Sequence, residues 1–65
     1  RDKYRLSRRE IEIIKLIKEG LTNKDIAEEL GLSQSTVETH RKNIHNKLGV
    51  SSRVELVNKA HEMNL

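Results

Sequence analysis

Residues 21–48 read LTNKDIAEELGLSQSTVETHRKNIHNKL, and the reading of this stretch decides the fold. It holds two helical patterns joined by a tight turn. The first predicts a helix from Asn23 to about Leu30 that buries Ile26, Ala27 and Leu30, with Thr22 as its N-cap and Asp25 three residues on. Gly31 stops it and Leu32 packs back. Ala27 is small, which lets the next helix approach closely. The second predicted helix starts after Ser33 and reaches about Leu48. On it Val37, Ile44 and Leu48 fall within about 20° of one line at the 3.6-residue period and form a core stripe. Ser35, Glu38, Thr39, Lys42, Asn43 and Asn46 fall on the opposite side; none is apolar, and all can donate or accept hydrogen bonds. His40 and Arg41 flank the stripe. Two helices at this spacing make a helix-turn-helix, whose second helix can enter the DNA major groove.

Outward from this unit, Ser7-Arg8-Arg9-Glu10 is a capping box, and Leu6 with Ile11 brackets it as a hydrophobic staple. The predicted first helix runs from Arg8 to about Glu19. Its apolar residues Ile11, Ile13, Ile14, Leu16 and Ile17 spread over more than half of the circumference, which places this helix at the centre of the bundle. Gly20 fits the left-handed position that ends it, with Leu21 folding back on Leu16 as in a Schellman motif. After Gly49, Ser52 and Glu55 spell another capping box. The last helix is expected from Arg53 to about Met63, with Val54, Leu56, Val57, Ala60 and Met63 as its apolar residues. The fold class is therefore all-α, a compact four-helix domain over residues 7–65, with residues 1–6 as a linker tail or basic arm. The chain opens on Arg1 rather than Met, which fits an excised fragment or a processed product.

Composition narrows the function. A chain of 65 residues buries only about 60% of its unfolded surface, so it needs an economical core or a partner. It has no cysteine, which excludes disulfide and zinc-finger staples. His40, His45 and His61 do not share a metal-binding spacing. His45 and His61 are read as solvated surface residues. With no HExxH, no P-loop and no glycine-rich loop, no enzyme, metal or cofactor is expected. No apolar run approaches the roughly 20 residues of a membrane span, and no signal peptide is read in the sequence; the expected location is the cytoplasm, with no membrane partner. The net charge of +3 is unevenly spread. Residues 1–9 carry five basic residues against one acidic, and residues 33–48 three against one, whereas residues 10–32 carry three basic against six acidic. Basic charge thus sits on the arm and on the second helix of the unit. Tyr4 is the single aromatic residue. Single-strand binding uses aromatic platforms, so duplex DNA is favoured over single-stranded RNA.

Four pieces in order carry a family resemblance: Leu6-Ser7-Arg8-Arg9-Glu10; Gly20-Leu21-Thr22-Asn23-Lys24-Asp25-Ile26-Ala27; Leu32-Ser33 with Ser35-Thr36-Val37; and His40-Arg41-Lys42-Asn43-Ile44 leading to Lys47-Leu48-Gly49-Val50 and Ser52-Arg53. Together they resemble the LuxR/FixJ-type (GerE-like) DNA-binding domain of bacterial transcription regulators, over about residues 6–60. The resemblance implies a four-helix unit whose third helix reads the major groove and whose fourth often forms a dimer contact. It also implies a sensing or receiver domain ahead of residues 1–6.

By that resemblance Glu38, Thr39 and Lys42 are base-reading positions, with Asn43 and Asn46 at the groove edge. Thr22, Asn23, Lys24, Ser35, Thr36, His40, Arg41 and Lys47 are candidates for phosphate contacts. Lys42 can donate to guanine O6 or N7, Glu38 can accept from cytosine N4, and the Thr39 methyl can touch a thymine methyl. Glu38 departs from the family, many of whose members carry Lys or Arg there; it either reads cytosine or turns away to pair with Lys42 four residues on. His40 is either a phosphate donor or packed at the helix edge. On the last helix Val54, Val57, Ala60 and His61 either close the core or pair a second copy in a weak homodimer formed mainly on DNA. RNA polymerase is a candidate further partner. Two other readings stand beside this one: the promoter-reading region of a sigma factor, which shares a helix-turn-helix, and a helical protein-interaction bundle.

Overall fold

Helix starts in this chain are set by side-chain hydroxyls that take over orphan backbone donors. The computed structural model describes residues 4–65 and contains α1 (Arg8–Lys18), α2 (Asn23–Leu30), α3 (Gln34–Leu48) and α4 (Arg53–Glu62), with no strand among the described residues. Arg1, Asp2 and Lys3 of the expected arm lie outside them. The Ser7 hydroxyl accepts from Glu10 N at 3.1 Å while Glu10 Oε1 accepts from Ser7 N at 2.8 Å, which completes the first capping box. Thr22 and Asp25 form the same reciprocal pair at the start of α2, both bonds at 3.2 Å. Ser33 accepts from Thr36 N at 3.2 Å.

The box expected at Ser52 and Glu55 is only half formed. The Ser52 hydroxyl accepts from Glu55 N, but Glu55 Oε1 takes Ser51 N at 2.8 Å and the Ser51 hydroxyl at 3.1 Å. Ser52 sits at φ −131°, against −76° to −81° at the other three caps, and this extended turn carries its N–H away from the Glu55 carboxylate.

The ends follow the glycines. Gly20 takes φ 98°; its N–H donates to Ile17 O at 3.0 Å and that of Leu21 to Leu16 O at 3.2 Å, the paired bonds of a Schellman motif.

Ile13, Ile14, Ile17, Ile26, Val37, Ile44 and Leu56 are the largest fully buried side chains, so the predicted stripe of α3 faces the core. Helix α1 touches all three other helices, as its wide apolar arc requires, but α3 does so too. The centre is therefore an α1/α3 pair, and α2 and α4 each pack on that pair with no close backbone approach to one another. Ala60, expected on a contact face of α4, is fully buried. A small side chain at this position lets α4 close against the core, and it cannot reach a second copy while the domain is folded. No helix among the described residues is long and apolar enough to cross a membrane.

Candidate nucleic-acid interface

Because α3 buries Val37, Ile44 and Leu48, its reverse side must face solvent. Glu38, Thr39, Lys42, Asn43 and Asn46 are all exposed there. Glu38, Lys42 and Asn46 line a shallow cleft with Asn23, Arg41 and His45. The α2–α3 arrangement thus joins base-reading and phosphate candidates in one surface. Among the described residues no ion pair joins Glu38 to Lys42, so neither charge is neutralised by the other in the free chain. The Thr39 hydroxyl donates back to Ser35 O at 3.1 Å, which fixes its rotamer.

The phosphate candidates divide by what already holds them. The Arg41 Nη1 donates to Asn23 Oδ1 at 2.6 Å, which pins the guanidinium at the start of α2 and leaves the Asn23 amide N–H groups free to donate. Burial of the Arg41 guanidinium, and then the neighbouring Arg53 charge, lower its pKa from the ordinary value. Ser35 and Thr36 are exposed, with hydroxyls 3.2 and 2.9 Å from the Ser33 hydroxyl. The first turn of α3 holds no acidic residue, so the positive end of its dipole is not offset locally. Thr22 and Lys24 are exposed and His40 is half-buried. Lys47 is exposed but already engaged by its own domain: its Nζ lies 2.8 Å from Glu10 Oε1 and 3.0 Å from Arg5 O.

On α4, Val54 is 70% exposed, the one large hydrophobic so placed among the described residues. Val57 is half-buried and packs on the core, and His61 is exposed.

Three contributors escaped the sequence reading. Arg53 Nη2 donates to Ile17 O at 3.0 Å and Leu21 O at 3.3 Å, so α4 closes the carbonyl end of α1. His45, read as solvated, lines the cleft. Glu10, read only as a cap, is 4% exposed and paired with Lys47. A capping carboxylate followed by an apolar run was the available signal that burial would call for a cation.

Burial pushes the Glu10 carboxyl up, but the Lys47 hydrogen bond, the Ser7 N–H and the Lys47 charge outweigh it and hold the carboxyl below its ordinary value of 4.5. A depressed folded pKa stabilises the fold above the unfolded value, and that contribution is lost as pH falls through the folded one. Acidification from about pH 5 to pH 3 is therefore expected to lower the urea midpoint of the chain more than that of Glu10→Gln. Equal acid losses in the two would show that Glu10 is not a source.

A sequence profile described as "Bacterial regulatory proteins, luxR family" (GerE) matches residues 4–60. The chain belongs to the luxR family of bacterial regulatory proteins. It is a LuxR-type helix-turn-helix domain of the kind carried by response regulators and transcription regulators, and membership implies DNA binding. The match takes in the fourth helix and selects this family over the sigma-factor alternative. The LuxR-type domain is 53% identical over 60 residues to the uncharacterized response regulatory protein YgeK of Escherichia coli K12, covering 92% of this chain and 41% of that protein. It is 50% identical over 60 residues to the oxygen regulatory protein NreC of Staphylococcus aureus, covering 92% of this chain and 28% of that one. Among solved structures it superposes on the response regulator ChrA of a heme-sensing two-component system with a TM-score of 0.87 at 41% identity, covering 91% of this chain and 29% of that one. The domain thus spans less than half the length of these relatives.

Proposed function

We propose that the chain is the output domain of a bacterial transcription regulator of the response-regulator type, and that it reads duplex DNA with α3 in the major groove. One observation carries this reading: a continuous polar, exposed face on the helix whose reverse is locked into the core. Glu38, Thr39 and Lys42 read base edges, with Asn43 and Asn46 at the groove margin. Thr22, Asn23, Lys24, Ser35, Thr36, His40 and Arg41 hold phosphates on either side. An unpaired Glu38 supports the cytosine role over internal pairing with Lys42. The reading places the protein in the cytoplasm, where promoter DNA is.

The test is a salt titration of binding to random-sequence duplex DNA. Each neutralised phosphate releases counterions, so log K is expected to fall with log salt by about 0.9 per phosphate, with several phosphates in the total. Absence of binding even at low salt would transfer support to the protein-interaction bundle.

The reading extends to a weak homodimer formed on DNA through α4, for which the exposed Val54 is the central apolar contact, flanked by Val57 and His61. Two copies on half-sites about 10 base pairs apart gain affinity that one unit lacks. Val54→Asp is expected to remove most of the cooperativity on a two-site duplex and to leave single-site binding unchanged. Equal binding losses on both duplexes would remove α4 from the dimer.

A further inference from the structure

Glu10 and Lys47 are 37 residues apart in sequence, yet their side chains meet at 2.8 Å. Lys47 lies in the last turn of α3, next to the buried Leu48. Its ammonium donates both to Glu10 Oε1 and to Arg5 O, and the same Glu10 oxygen accepts from Ser7 N at 2.8 Å. One cation thus joins the end of α3, the start of α1 and the segment by which the chain enters the domain. Arg5 takes φ 57°, a left-handed conformation that a non-glycine residue holds only when its surroundings impose it. The Glu10 side chain is 5% exposed and that of Lys47 36%. If Lys47 swung out to a DNA phosphate, the carboxylate would stay buried without its cation, and Arg5 O would lose its donor.

We infer that Lys47 is a positioning residue, acting through Glu10 to hold α3 against the incoming segment, and that it makes no phosphate contact. This rests on the DNA-binding reading above and reassigns one of its residues. Glu10 thereby governs DNA affinity without approaching DNA.

The two roles predict different outcomes for one variant. Glu10→Gln keeps the cap, since Gln serves at that position as well as Glu, but removes the charge that holds Lys47. If Lys47 positions α3, Glu10→Gln lowers affinity for random-sequence duplex DNA several-fold, with the salt slope unchanged. If Lys47 contacts phosphate, freeing it leaves affinity the same or raises it. Lys47→Met, which keeps the packing stem, separates them again. The positioning role predicts lower affinity with the wild-type slope, and a Glu10→Gln/Lys47→Met double variant no weaker than the weaker single one. A phosphate contact predicts a slope smaller by about 0.9. Each titration is run below the variant's melting temperature, checked by circular dichroism. If Lys47→Met does not fold, the sign of the Glu10→Gln effect decides alone. A wild-type chain with no salt-dependent binding would overturn the DNA reading, and this inference with it. A wild-type slope that drops by one phosphate in Lys47→Met would overturn this inference alone.

Discussion

Ile44→Ala is expected to lower the melting temperature of the chain by about 10–30 °C, the largest stability effect of any alanine truncation on α3. Ile44 has no solvent exposure and sits on one of the two helices that touch all others. Truncation loses the transfer free energy of three carbons and leaves a cavity, together about 2–5 kcal/mol. The better helix propensity of alanine returns only a few tenths of a kcal/mol. A domain of this size has a total stability of roughly 3–10 kcal/mol, so the variant stands near the limit of folding. Ile44→Val, which removes one methyl, is expected to cost about 0.5–1.5 kcal/mol. Thermal unfolding followed at the helical circular dichroism band gives both values. A shift of only a few degrees for the alanine variant would mean that the neighbouring helices collapse into the space.

Thr39→Phe is expected to abolish sequence-specific binding while leaving the helical signal intact. Thr39 is exposed, and its hydroxyl is tied to Ser35 O, so no core contact is lost. On the proposed docking the ring would stand between α3 and the base edges, where Glu38 and Lys42 would need close approach. Specific binding commonly exceeds non-specific binding by about a thousandfold or more, and the variant is expected to fall to the non-specific level. Its salt slope on random DNA stays near the wild-type value, because the phosphate donors are untouched. By contrast, a single lost bidentate contact at one base costs about 1–3 kcal/mol. Competition between a selected operator and random duplex measures the difference. Retained preference for the operator would show that α3 does not dock through this face.

What was legible in the sequence is what depends on near neighbours. Ser7, Thr22 and Ser33 mark helix starts because a cap needs only the next three residues, and Gly20, Gly31 and Gly49 mark ends because only a left-handed residue closes the last turn cheaply. The 3.6-residue period was enough to put Val37, Ile44 and Leu48 inside and Lys42 outside. It was not enough for Ala60, which sits beside Val57 and His61 on a broad apolar arc, so that only the pose of α4 decides which of them is covered. Arg53 against the Ile17 and Leu21 carbonyls and Lys47 against Glu10 join residues more than 30 positions apart, and no local pattern encodes the packing that brings them together. Ser52 failed as a full capping box because the Glu55 carboxylate accepts from Ser51 N and the Ser51 hydroxyl instead, beside a Ser52 φ of −131°.

Helices α2 and α4 rest on the α1/α3 pair with no close backbone approach to each other. Outward-facing residues without shared partners contribute to free energies nearly independently. The outer surfaces of α2 and α4 are therefore free to diverge separately, which on the proposed function would let the grip on a site change without changing how copies associate. The α1/α3 pair is the part that every such change must leave alone.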